Sequence, residues 1–272
     1  MNTAFPFFAA YLFVSEQIDL TLVIGSLFFL IPYNFLMYGI NDVFDYESDL
    51  RNPRKGGIEG ALLDPKYHKT TIWSSIGFAA VFVVYLLFVG SDAADFWLLV
   101  TLAAVLAYSV PKLRFKERPF LDSFTSAVHF VGPMVYGLVL AGSSLVDAKV
   151  IAVIAAFMGW GMASHAFGAV QDVRADREAG IKSVATQIGA RNTVRFAFAL
   201  YVVAAAVIMT IGWHGVVASL AVLPYLVIIS PYLNITDADC ERANGGWKRF
   251  IWLNFAAGAL ISLVVINFFQ AN

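Results

Sequence analysis

The sequence predicts an all-α integral membrane bundle of about nine transmembrane helices, and three observations support it. Of its 272 residues, 60% are hydrophobic and only 14% are charged, against roughly a quarter in a soluble domain. Several stretches without a charge exceed the ~18 residues at which a membrane-spanning helix becomes the default reading. Seventeen of the 18 Lys and Arg residues fall in four connections that alternate along the chain.

Each element follows from where the charges stop. Thr3 to Val14 is the first apolar segment, and its 12 residues are short for a crossing. It runs on through Glu16 and Asp19, is re-entrant, or belongs to a longer natural N-terminus; the last is the expectation. Leu20 to Ile40, Thr70 to Gly90, Phe96 to Val110, Ser123 to Gly142 and Val150 to Val170 follow. Phe196 to Thr236, 41 residues without Asp, Glu, Lys or Arg, is about twice one crossing. "GWHG" at 212–215 divides it, and Phe250 to Phe269 closes the chain. Little sequence remains for soluble lobes, so residues 1–272 are expected to form one transmembrane domain. The start, "MNTAFPFFAAYLF", has no basic n-region and no small-residue cleavage site. A single cysteine, Cys240, excludes an intramolecular disulfide.

The basic residues test this count. They lie in residues 41–69, 111–121, 171–195 and 237–249, with Lys149 alone elsewhere. Nine crossings put all four connections on one face, which the positive-inside rule makes cytoplasmic. The N-terminus is then inside, the C-terminus outside, and the chain is a multi-pass protein of the cell membrane. The net charge of −1 is segregated by loop, and no nucleic-acid partner is expected.

That face is acidic as well as basic. After the uncharged run Leu20 to Ile40 come four acids in eight positions, in "NDVFDYESD". Asp42, Asp45 and Asp49 stand at i, i+3 and i+7, so a helix continuing from the second span sets all three on one face, with Asn41 beside them. A second cluster, "QDVRADREAG", follows the sixth span, and Asp172 and Asp176 are i and i+4. Like charges so spaced repel in a bare helix, and ionised groups beside hydrocarbon usually mark a functional pathway. Something cationic is expected between the clusters. Oxygen donors suit Mg²⁺, which binds through one or two carboxylates and completes its shell with substrate phosphates. Arg51, Arg54 and Lys55 behind the first cluster suit phosphate oxygens. A Mg²⁺-bridged diphosphate satisfies all of these groups, and as a leaving group it would have its developing charge stabilised. The plainer alternative is helix-end capping at the lipid headgroups.

"NDVFDYESD" resembles the N-D-x-x-D-x-x-x-D motif of the UbiA superfamily of intramembrane prenyltransferases. "DVRAD" resembles that family's D-x-x-x-D, and "YSVPK", Tyr108 to Lys112, its Y-x-x-x-K element. The motif positions after spans two, four and six match as well. The resemblance implies prenyl transfer from an isoprenyl diphosphate by Mg²⁺-assisted ionisation. An electron-rich acceptor captures the allylic cation and then loses a proton. It also implies that Asn41, Asp42, Asp45, Asp172 and Asp176 bind Mg²⁺ and diphosphate. Asp49 would lie closer to the reacting carbons, and Tyr108 and Lys112 would contact the diphosphate or the allylic group. Arg114, Lys116 and Arg118 are candidates by charge alone. The family's arginine before the first helix is missing here, a second reason to expect a longer natural N-terminus.

For the acceptor, "NPRKGGIEGALL" and "DADCERANGGWKRFIWLN" look most like the lycopene-elongating branch. A lipophilic carotenoid acceptor and a short donor, dimethylallyl diphosphate, are therefore expected, with C45 and C50 products. A prenyltransferase for an aromatic or quinone precursor is the alternative. A cation or phosphate transporter is a third, disfavoured because the acids sit at helix ends on one face and none is central. Asp237, Asp239 and Glu241 read as a solvated loop or as a third acidic lip. His129, His165, Asn34 and Asn254 are polar groups inside spans, expected mainly as interhelical hydrogen-bonders.

Overall fold

A computed structural model describes residues 3–50 and 62–271, the side chains of residues 48 and 271 excepted. Among the described residues it is all helical, without a strand. The helices are α1 (Ala4–Ser15), α2 (Leu20–Leu30), α3 (Pro32–Asp49), α4 (His68–Val89), α5 (Asp92–Ser109) and α6 (Leu121–Leu140). Then come α7 (Ala148–Val170), α8 (Val173–Glu178), α9 (Val184–Met209), α10 (Trp213–Ser219), α11 (Leu223–Ile229) and α12 (Asn244–Ala271). Among the described residues eight segments are long and apolar enough to cross a membrane, and α1 is a shorter apolar helix. They match the segments bounded by charge one for one.

Local chemistry sets the ends. α1 stops at Glu16, which turns left-handed (φ 54°), and Asp19 caps α2 by accepting the Leu22 N–H at 2.8 Å. The first helix therefore does not run on through Asp19. α2 and α3 make one crossing with a break at Ile31, after which Pro32 opens α3 where its missing N–H costs nothing. α3 then continues through the acids to Asp49, as their spacing requires. Ser183 begins α9 with a reciprocal capping box to Thr186. Gly212, at φ +105°, makes the turn into α10 inside the expected "GWHG" break.

The chain divides into two compact units. The first comprises Met1–Phe115 and Gly132–Ser143, the second Lys116–Val131 and Ser144–Asn272. The core of the first unit is aromatic. Phe7 lies 5.1 Å from Phe29 and 5.8 Å from Tyr136 between ring centres, and all three are fully buried. Gly25 admits the Phe7 ring, into which a Cβ there would run. Asn34 donates to Thr3 Oγ1 and to the Phe29 carbonyl, so this intramembrane amide is structural.

In the second unit α7 and α9 pack through small residues such as Ala163, Ala166, Ala197 and Ala204, all buried, the expected means of close approach in lipid. Tyr201 stacks on Tyr225 at 5.2 Å, Ser164 hydrogen-bonds Tyr201, and Tyr225 donates to Asn254 Oδ1 at 2.7 Å. Asn254 is thus structural as well. Large apolar side chains face outward, Phe88 being 87% exposed and Trp252 76%. In water those surfaces would be costly, and in a bilayer they are the solvated face.

Candidate active site

In the first unit the acids are organised by α3. Asp45 is buried, Asp42 and Asp49 are half-buried, and Glu47, off their face, is exposed. Ser109, the last residue of α5, donates to Asn41 Oδ1 at 2.9 Å. Arg114 reaches the same helix. Its guanidinium lies 3.9 Å from Asp45 Oδ1 and donates to the Phe44 carbonyl at 3.3 Å. The carboxylate face of α3 is therefore fastened to the end of α5 and the segment after it.

That segment is strained. Pro111 cannot continue α5, and Lys112 (φ +77°) and Arg114 (φ +37°) both take positive φ. Side chains with a Cβ pay of order 1–3 kcal/mol there, and such residues cluster at functional sites. Lys112 belongs to the Y-x-x-x-K element and Arg114 to the basic run that follows it. Lys112 is exposed, while Arg114 and Tyr108 are half-buried. Lys116 and Arg118 follow in the second unit. Arg54 and Lys55, with Arg51, lie outside the described residues.

In the second unit α7 ends at Val170, and the six-residue α8 carries the second motif. Asp172 and Asp176 are half-buried, whereas Arg174 and Arg177 between and behind them are exposed. The turn 237–243 ties this region down. Asp237 accepts the Ala190 N–H at 2.7 Å and pairs with Arg177, which also donates to the Thr186 carbonyl. Gly189 (φ +79°) breaks α9 at that point and frees the Ala190 N–H for capture. Glu241 lies 3.9 Å from Arg174, and the Thr236 hydroxyl donates to Asp239. The third acidic stretch is thus a fastening. Cys240, fully buried, points its thiol at the Gln171 carbonyl at 3.8 Å, and Asn244 donates to Gln171 Oε1.

Sequence reading missed three groups. Ser109 and Gln171 are ordinary polar residues whose roles depend on partners far along the chain. Asp122, at the start of α6, is a fully buried carboxylate with His165 of α7 3.7 Å away. In the sequence it only marks the edge of the apolar segment that begins at Ser123. His129 is buried in α6.

The donor chemistry fits Mg²⁺. α3 and α8 present carboxylate and amide oxygens, and among the described residues no three His, Cys, Asp or Glu side chains gather into a ready-made metal cage. An ion that takes one or two carboxylates and finishes its shell on substrate phosphates needs no such cage.

A multi-pass helical protein with two aspartate-bearing helix ends beside basic residues is the class that this fold and site define. Residues 3–264 match the model of the UbiA prenyltransferase family, and the chain belongs to that family and is a prenyltransferase. The "C(50) beta-cyclic carotenoids biosynthesis protein LbtBC" of Dietzia sp. (strain CQ4) is 53% identical over 267 residues, covering 98% of this chain. The chain spans 62% of that relative's length. A "Lycopene elongase/hydratase" of Corynebacterium glutamicum is 49% identical over 270 residues, covering 99% of this chain and 94% of the relative. In fold, the chain superposes on a UbiA homologue from Archaeoglobus fulgidus, whose structure holds DMAPP and Mg²⁺, with a TM-score of 0.67 at 18% identity. That likeness covers 96% of this chain and 95% of the other. The motif resemblance is borne out, and an enzyme replaces the transporter alternative.

Proposed function

We propose that this prenyltransferase moves the dimethylallyl group of dimethylallyl diphosphate onto a terminal double bond of lycopene, giving C45 and then C50 carotenoids. The observation that supports this most is the near end-to-end relatedness, at about half identity, to a lycopene elongase/hydratase. Residues 1–272 act as one transmembrane domain in the bilayer. Asp42, Asp45, Asp172 and Asp176 hold Mg²⁺. Asn41, steadied by Ser109, and Lys112, Arg114, Arg54 and Lys55 bind the diphosphate. Asp49 and Tyr108 stand nearer the reacting carbons. When bound, Mg²⁺ neutralises charge on the departing diphosphate. The C1–O electrons leave with that group, the acceptor π pair forms the new C–C bond, and the resulting tertiary cation loses a proton or captures water.

Purified enzyme with Mg²⁺, dimethylallyl diphosphate and either lycopene or 4-hydroxybenzoate tests the acceptor. C45 and C50 products from lycopene are expected. Prenylation of the aromatic acid without them would overturn the carotenoid reading and leave the enzyme class intact.

The site faces the cytoplasm, where a soluble diphosphate is available, because the basic residues gather on that side. A cysteine at exposed Ser144 should be labelled from outside the cell, and one at exposed Glu178 only after permeabilisation. Outside labelling at Glu178 would reverse the orientation.

A further inference from the structure

Asp122 is enclosed completely, yet its neutral partners are few. Its Oδ2 accepts the Val184 N–H at 2.8 Å, and its Oδ1 accepts the Ser123 hydroxyl at 3.2 Å. Burying a carboxylate is costly unless charge or hydrogen bonds offset it. Beside them stands His165, whose Nε2 lies 3.7 Å from Oδ2 and whose side chain keeps 21% of its surface accessible. The carboxylate is sealed and the imidazole is reachable, an arrangement that suits a proton acceptor with a fixed orienting partner.

Its depth suits the reaction. His165 stands on α7 five residues before the helix ends at Val170, about 7.5 Å along its axis, and Asp172 follows two residues beyond that end. The chemistry also requires a base. The tertiary cation can be quenched only if a proton leaves, either from an adjacent carbon or from the water that adds to it. Carboxylates engaged with a metal are poor acceptors for that proton.

We propose that His165 is the catalytic base that receives this proton, with Asp122 the positioning residue behind it; the inference rests on the prenyl-transfer reading above. In hydration, a water lone pair bonds the cationic carbon, one O–H pair stays on oxygen, and the proton passes to a ring nitrogen of His165. In elimination, the C–H pair becomes the new double bond and the proton goes to the same place.

The test compares wild type with His165→Gln, His165→Ala and Asp122→Asn, using Mg²⁺, dimethylallyl diphosphate and lycopene. Affinity for the unreactive thiolodiphosphate analogue of the donor is measured alongside. Turnover should fall by about 100-fold or more in both His165 variants, with analogue affinity unchanged, and added imidazole should restore turnover to His165→Ala. Asp122→Asn should lie between these and wild type. Wild-type turnover in the His165 variants, loss of analogue binding with activity, or failure of imidazole rescue would overturn the inference. If wild type prenylates the aromatic acid instead, the acceptor reading fails by itself. The same comparison on that acceptor, from which a ring proton must leave, then decides the role of His165.

Discussion

The two acid-bearing helix ends are held by different means. In the first unit Asn41, Asp42, Asp45 and Asp49 ride on α3, an 18-residue helix whose own hydrogen bonds fix their spacing. In the second, Asp172 precedes and Asp176 stands on a helix of six residues, too short to be stable by itself. Side chains from elsewhere brace it instead. Arg177 ties it to Asp237 and to the Thr186 carbonyl of α9, and Asn244 of α12 holds Gln171 just before it. One end takes its rigidity from local structure and the other from tertiary bonds, so damage remote from the chemistry should reach only the second.

The largest expected effect tests whether the two ends share one task. Asp45→Ala and Asp172→Ala should each lower turnover by at least about 100-fold while leaving the protein folded, and the double variant should be little worse than either. Multiplicative losses in single-turnover assays would mean that the ends act independently. Next in size is Asp237→Ala, which removes a bond to the Ala190 N–H and an ion pair that is partly exposed. About 1–2 kcal/mol of stability should be lost, with turnover reduced through Asp172 and Asp176. Unchanged activity in the folded variant would show that α8 needs no such brace. The smallest effect concerns the strained segment of the first unit. Lys112→Gly should raise the thermal midpoint, because glycine relieves about 1 kcal/mol at φ +77°, and should weaken diphosphate binding. A variant that is both more stable and fully active would remove Lys112 from the site.

The same contrast explains what the sequence made legible. Apolar segments were readable because charge bounds them, and the acids of α3 because helical spacing is a local rule. Helix ends were less so, since caps set them and charge does not. α9 begins at Val184, well before Phe196, and carries Arg191 and Arg195 within it. Arg195 reaches the Leu233 carbonyl and Asn234. The roles of Asp122 and Asp237 were hidden for another reason. Their partners stand 62 and 47 residues away, at the Val184 and Ala190 N–H groups, and no periodicity reaches so far.

Cys240 gives the brace around α8 a built-in clock. It is the chain's sole thiol, fully enclosed, with its sulfur against the Gln171 carbonyl one residue from Asp172. An alkylating reagent can reach it only in the moments when the 237–243 turn lets go. The rate of its modification in the untouched protein therefore counts local openings, the quantity that hydrogen exchange measures at backbone amides. A ligand that clamps Asp172 and Asp176 should slow that clock in proportion to its occupancy.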